Sequence, residues 1–194
     1  MTYPEFRNQI KSLLSAGKTS GNDHSEFMLD YTRLNNKRMD RLDKTLTLSD
    51  NIIQRLNEIR ETQLWIVLVE AWCGDVAQNL PFLAKIAEQN KNIKLCIIYR
   101  DENPDFMNRY LTNGSRSIPK LVILNENFSE LATWGPRPEP VQEMLFQYKN
   151  NPEETYQEYA LKAHSWYTRD KNKTIQEEFT MLLESIITKY QKVA

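Results

Sequence analysis

The sequence predicts an α/β domain with a mixed four-stranded sheet, carried between helical N- and C-terminal extensions. Three observations support this. Apolar residues recur at helical spacing up to Arg60, then form short β-rich runs alternating with helical stretches, and return to helical spacing after Asn151-Pro152. The middle region reads β-α-β-α-β-β-α, and the crossover between its first two strands imposes a right-handed parallel pair. Its last two strands are separated only by Asn125-Glu126-Asn127-Phe128, a length that suits an antiparallel hairpin. The chain is therefore expected to divide into a helical segment 1–61, a central domain 62–150 and a second helical segment 151–194.

In the first segment Phe6, Ile10, Leu13 and Leu14 share one helical face, and Gly17 with Gly21-Asn22-Asp23 ends that helix. A second helix is expected over 25–46 with Phe27, Tyr31, Leu34 and Leu42 inward. A third is expected over 49–60, capped by Ser49, with Ile52, Ile53, Leu56 and Ile59 inward. Arg33, Lys37, Arg38, Arg41 and Lys44 form a basic stripe on the second helix. Asp30, Asp40 and Asp43 are interleaved with it, which reads as a solvated, salt-bridged face rather than an anion site. Strands are expected at 64–70, 93–99, 120–124 and 129–134, with helices at 75–89, 104–111 and 138–149. After a helix at 153–167 and a polar turn at 169–173, a Thr174/Glu177 capping box opens the last helix. Its stripe of Ile175, Phe179, Leu182, Leu183, Ile186, Ile187 and Tyr190 packs on its own domain or, alternatively, forms a homodimer interface.

Composition narrows the function. The 194 residues are 40% hydrophobic and 26% charged, with 25 Lys+Arg against 26 Asp+Glu. So even a balance argues against a nucleic-acid binder or a membrane-surface protein. The longest apolar run, 64–69, is far short of the roughly 18–20 residues of a membrane span. Pro4, Glu5, Arg7 and Lys11 interrupt any secretory pattern at the start. Two cysteines, Cys73 and Cys96, are too few for a disulfide scaffold and fit a cytoplasmic protein with reduced thiols. His24 and His164 lack ligand spacing, and Gly17-Lys18-Thr19 lacks the strand and first glycine of a phosphate loop, so neither a metal nor a cofactor is expected.

The predicted topology brings four connections to one edge of the sheet: 72–75, 100–103, 116–119 and 135–137. Ligands of α/β folds usually bind at such an edge. Cys73 lies there, after a strand and at the start of a helix, where backbone N–H groups and the helix dipole favour a thiolate. Cys96, mid-strand among Leu95, Ile97 and Ile98, reads as a core residue. A disulfide between the two would need Cα atoms within about 7 Å, which such offset positions should not meet. Glu70 and Asp75 flank the thiol in sequence and could move its proton, although each negative charge also opposes the thiolate. Arg100, Arg116 and Arg137 could make the edge selective for an anionic thiol or a peptide carboxylate.

Trp72-Cys73-Gly74-Asp75-Val76 resembles the Trp-Cys-Gly-Pro-Cys signature of thioredoxins. Pro81 matches the family's helix-kinking proline, Ser117-Ile118-Pro119 resembles its cis-proline loop, and Gly135 matches a glycine bordering its substrate groove. Within the superfamily, 72–78, 99–103, 112–119 and 134–138 resemble an uncharacterised bacterial thioredoxin-family group with a Trp-Cys-Gly-Asp motif and helical extensions at both ends. The resemblance implies a thioredoxin-like fold with Cys73 as nucleophile. Trp72, Gly74, Ile118, Pro119, Gly135 and Arg137 would line the substrate groove. Two departures alter the expected activity. Val76 replaces the resolving cysteine, so Cys73 cannot release a mixed disulfide unaided. Val67 replaces the family's buried aspartate. The expected function is single-thiol disulfide exchange in redox homeostasis, acting on a thiol- or disulfide-bearing protein or a low-molecular-weight thiol. The alternative is a redox-inactive, protein-binding module.

Overall fold

A computed structural model describes residues 1–191, with side chains described through Lys189. The order is α1 (Tyr3–Ser15), α2 (Glu26–Thr45), α3 (Asp50–Glu58), β1 (Gln63–Val69), α4 (Gly74–Glu88), β2 (Ile93–Tyr99), α5 (Pro104–Asn108), β3 (Lys120–Asn125), β4 (Glu130–Trp134), α6 (Glu139–Asn150), α7 (Tyr156–Asp170) and α8 (Lys173–Gln191). The strands lie in the order β2-β1-β3-β4. β1 runs parallel to β2 and antiparallel to β3, and β3 runs antiparallel to β4 across the short 125–128 turn. Val69 pairs with Tyr99, Leu68 with Lys120 and Leu121 with Trp134, so the four connections do meet at one edge. Among the described residues, no helix is long and apolar enough to cross a membrane.

β1 and β3 are central and almost wholly buried, which explains their unbroken apolar sequences. Trp65, Val67, Leu68, Val69, Leu121 and Ile123 join Leu80, Phe82, Leu83 and Ile86 of α4 in the main core. Helices outside the central region enter the same core. Phe179 of α8 packs against Trp65 at 6.1 Å, Phe82 at 5.3 Å and Trp134 at 5.3 Å between ring centroids. The last helix's stripe is thus satisfied within its own chain through Ile175, Phe179, Leu183 and Ile186, while the side chain of Tyr190 lies outside the described ones. Ser49 N–H donates to Gln176 Oε1 at 2.7 Å and Arg55 pairs with Glu184 at 3.1 Å, which ties α3 to α8.

Several local expectations need correction. On α2 the buried face is Leu29, Thr32, Asn35, Met39 and Leu42, whereas Phe27 is 67% exposed and Leu34 is 44% exposed. Two polar residues occupy the inward face because each finds a partner there: the Thr32 hydroxyl donates to Met28 O at 2.9 Å and Asn35 Nδ2 to Ala71 O at 3.3 Å. Ser49 precedes α3, but its side chain makes no capping bond. The Thr174/Glu177 box does not form, since α8 begins a residue earlier and Thr174 N–H donates to Asp170. A complete box forms instead between Thr155 and Glu158, opening α7. Cys96 is only half-buried, because β2 is the edge strand and Cys96 is covered from outside by Met1, whose amino nitrogen lies 4.0 Å from its sulfur.

Candidate active site

Cys73 is the N-cap of α4, following the turn in which its own N–H donates to Glu70 O at 3.1 Å. Its thiol donates across the edge to Ile118 O at 3.3 Å, and the Ile118–Pro119 peptide bond is cis. Gly135, with φ at +107°, touches the back of that segment: a Cβ there would lie 2.3 Å from Pro119 O. Only glycine fits so close an approach at positive φ. Gly135→Ala is expected to destabilise the fold by about 2 kcal/mol or more, read from the denaturant midpoint.

The sequence does not reveal that both helical segments close over this edge. A Cβ on Gly74 would lie 3.1 Å from His164 Cε1 and 4.0 Å from Tyr31 Cε1, which brings α7 and α2 onto the first turn of α4. Ile118 and Pro119, expected to line the substrate groove, are buried. Gly74 is therefore a seat for His164 rather than part of an open groove. Trp72 is also engaged, with the Arg100 guanidinium 5.0 Å from its ring and the loop at Gly21 against its Nε1.

Cys73 is itself half-buried beneath this partial cover. Burial pushes the Cys73 thiol up to about 12, the negative charge of Asp75 adds to the rise, and the backbone N–H groups of Val76 and Asp75 only partly oppose it. The net direction, which the helix start and the flanking carboxylates leave open in the sequence, is upward, because desolvation outweighs the helix dipole. Asp75 itself is held by Arg137, whose Nε and second terminal nitrogen reach Oδ2 at 2.9 and 2.7 Å, and by the Tyr167 hydroxyl, which donates to Oδ1 at 2.8 Å. Asn79 Nδ2 in turn donates to the Tyr167 hydroxyl at 3.1 Å. This nearly buried network joins α4 and α7 to the segment just ahead of α6.

Glu70 does not face the thiol through a hydrogen bond. It is fully buried, accepts the Asp101 N–H at 3.0 Å, and leaves Oε2 unpartnered; burial raises its pKa. Of the three arginines expected to attract an anion, Arg137 is paired with Asp75 and Arg100 with Asp101, while exposed Arg116 donates only to the neutral Asn108.

Burial, then the nearby Arg38 charge, lowers His164 to about 4. The unfolded chain, near 6.5, takes the proton first as pH falls, so the stabilising effect is complete above that value and is lost toward pH 4. The expected loss is about 3 kcal/mol, and His164→Gln should flatten this part of the pH–stability profile in paired denaturation measurements.

The family model described as thioredoxin matches residues 21–160. The chain belongs to the thioredoxin superfamily. The thioredoxin match reaches beyond the central sheet into α2 on one side and the start of α7 on the other. Among solved structures, an HIV epitope-scaffold is 19% identical with a TM-score of 0.56, covering 95% of this chain and 98% of its own. A Pseudomonas aeruginosa protein of unknown function is also 19% identical, with a TM-score of 0.53, covering 100% of this chain and 99% of its own. These likenesses concern the fold. No curated protein matches the sequence.

Proposed function

We propose that this thioredoxin-like protein performs single-thiol disulfide exchange at Cys73, in cytoplasmic redox homeostasis, with a separate small thiol as resolver. The supporting observation is the thiol at the first turn of α4, directed at the Ile118 carbonyl at 3.3 Å. Cys73 sulfur attacks a disulfide, forms a mixed disulfide and expels one thiolate, which takes the Cys73 proton. A small thiol then attacks the mixed disulfide, forming a new disulfide and returning Cys73 to the thiol. The second sulfur of the chain, on the edge strand β2 opposite Ile66, is not positioned as a resolver.

A second reading, a binding module without redox cycling, is favoured by the raised thiol and the partly covered edge. Incubation with a small disulfide, followed by intact mass, separates the two. Parent and Cys96→Ser are expected to acquire one adduct and Cys73→Ser none. A parent that acquires no adduct overturns the exchange reading and leaves the binding module.

A further inference from the structure

We infer that Arg38, with Tyr31, Tyr156 and His164, forms a binding site beside Cys73 for the carboxylate of a small anionic molecule. Only the identity of that molecule, a low-molecular-weight thiol or disulfide, rests on the exchange reading.

The acids that sequence interleaves with the basic stripe of α2 are all committed elsewhere. Asp30 and Glu26 pair with Arg33, and Asp40 and Asp43 pair with Arg7 from α1. One helical turn away from Arg38 lie Leu34, Asn35, Arg41 and Leu42, none of them acidic. Among the described residues Arg38 makes no ion pair, although it is partly buried; desolvation lowers its pKa, Tyr31 partly opposes this and Arg41 adds to it. A partly desolvated cation without a counter-charge is an unfavourable arrangement that a bound anion would relieve.

Arg38 is also held in place. Its first terminal nitrogen donates to Asn35 Oδ1 at 2.8 Å, and fully buried Asn35 donates to Ala71 O at 3.3 Å, two residues before Cys73. The Tyr31 hydroxyl also bonds this guanidinium but brings no fixed negative charge, whereas a carboxylate would match a guanidinium edge through two parallel bonds. The guanidinium carbon lies 6.0 Å from the centroid of the Tyr31 ring. Tyr156 adjoins Tyr31 and remains 51% exposed. His164 adds a buried Nδ1 without a hydrogen-bond partner. The carboxylate that faces this region, Asp75, is already matched by Arg137. The net local charge therefore belongs to Arg38.

The test uses benzoate on the full-length Cys73→Ser chain, observed through the ring resonances of its two histidines. Benzoate is expected to shift His164 and not His24, with affinity falling as salt rises. Arg38→Gln should weaken the binding about tenfold or more, and Arg38→Lys should restore part of it. In chains that retain Cys73, a disulfide bearing two carboxylates should outpace a neutral dipyridyl disulfide by a ratio that Arg38→Gln reduces. Benzoate binding of equal strength in parent and Arg38→Gln, or none in a folded Cys73→Ser chain, overturns the inference. If Arg38→Gln fails to fold, unaltered binding in Arg38→Lys together with salt independence overturns it equally. Retained Arg38-dependent benzoate binding without reaction of Cys73 toward either disulfide would instead remove the exchange reading and leave this site intact.

Discussion

Alkylation of Cys73 by iodoacetamide at pH 7 is expected to be roughly a hundredfold slower than alkylation of free cysteine. The thiol at about 12 has some three orders of magnitude less thiolate than a free thiol near 8.5. Its thiolate, being more basic, is intrinsically more nucleophilic by about one and a half orders of magnitude, which offsets part of that deficit. The rate should continue to climb beyond pH 9, where free cysteine has levelled off. Peptide mapping after alkylation, compared with Cys96 in the same sample, measures both effects. A Cys73 rate equal to that of free cysteine would show that α2 and α7 do not shut the edge in solution. Exchange through this thiol thus takes place at a half-buried sulfur beneath a partial cover.

Asp75→Ala should have the largest effect on stability, with an expected loss of about 3–5 kcal/mol in denaturant unfolding. The substitution strands the Arg137 guanidinium, whose side chain is only 10% exposed, and removes the acceptor of the Tyr167 hydroxyl. Asp75→Asn keeps an acceptor for Tyr167 and should lose less. Because the Asp75 charge also raises the Cys73 thiol, the folded Asn variant should alkylate faster than the parent. Unchanged stability in both variants would show that solvent already screens the network.

The sheet was readable in the sequence because its evidence is local. The continuous apolar strands β1 and β3, the crossover through α4 and the short 125–128 turn each express their geometry within a few residues. Cys73, Ile118 and Gly135 were likewise placed at one edge by strand order alone. What sequence reasoning missed depends on partners distant along the chain. Asn35 and Thr32 lie on the buried face of α2, and a pattern that counts only apolar residues assigns that face to Phe27 and Leu34. His164 carries no motif and stands ninety residues from Gly74; the absence of a side chain at Gly74 is the one local hint that another ring rests there. The sign of the thiol shift was not readable either, since it depends on whether α2 and α7 exclude water, which no residue near Cys73 records.

The packing of Phe179 among Trp65, Phe82 and Trp134 bears on how the protein can be dissected. A fragment trimmed to 62–150 would retain every strand but present three large aromatic rings to solvent, a contiguous sticky face prone to self-association. Such a fragment is a poor reagent for measuring the chemistry of its thiol. Whoever wishes to expose Cys73 should loosen α7 by substitution and leave α8 attached.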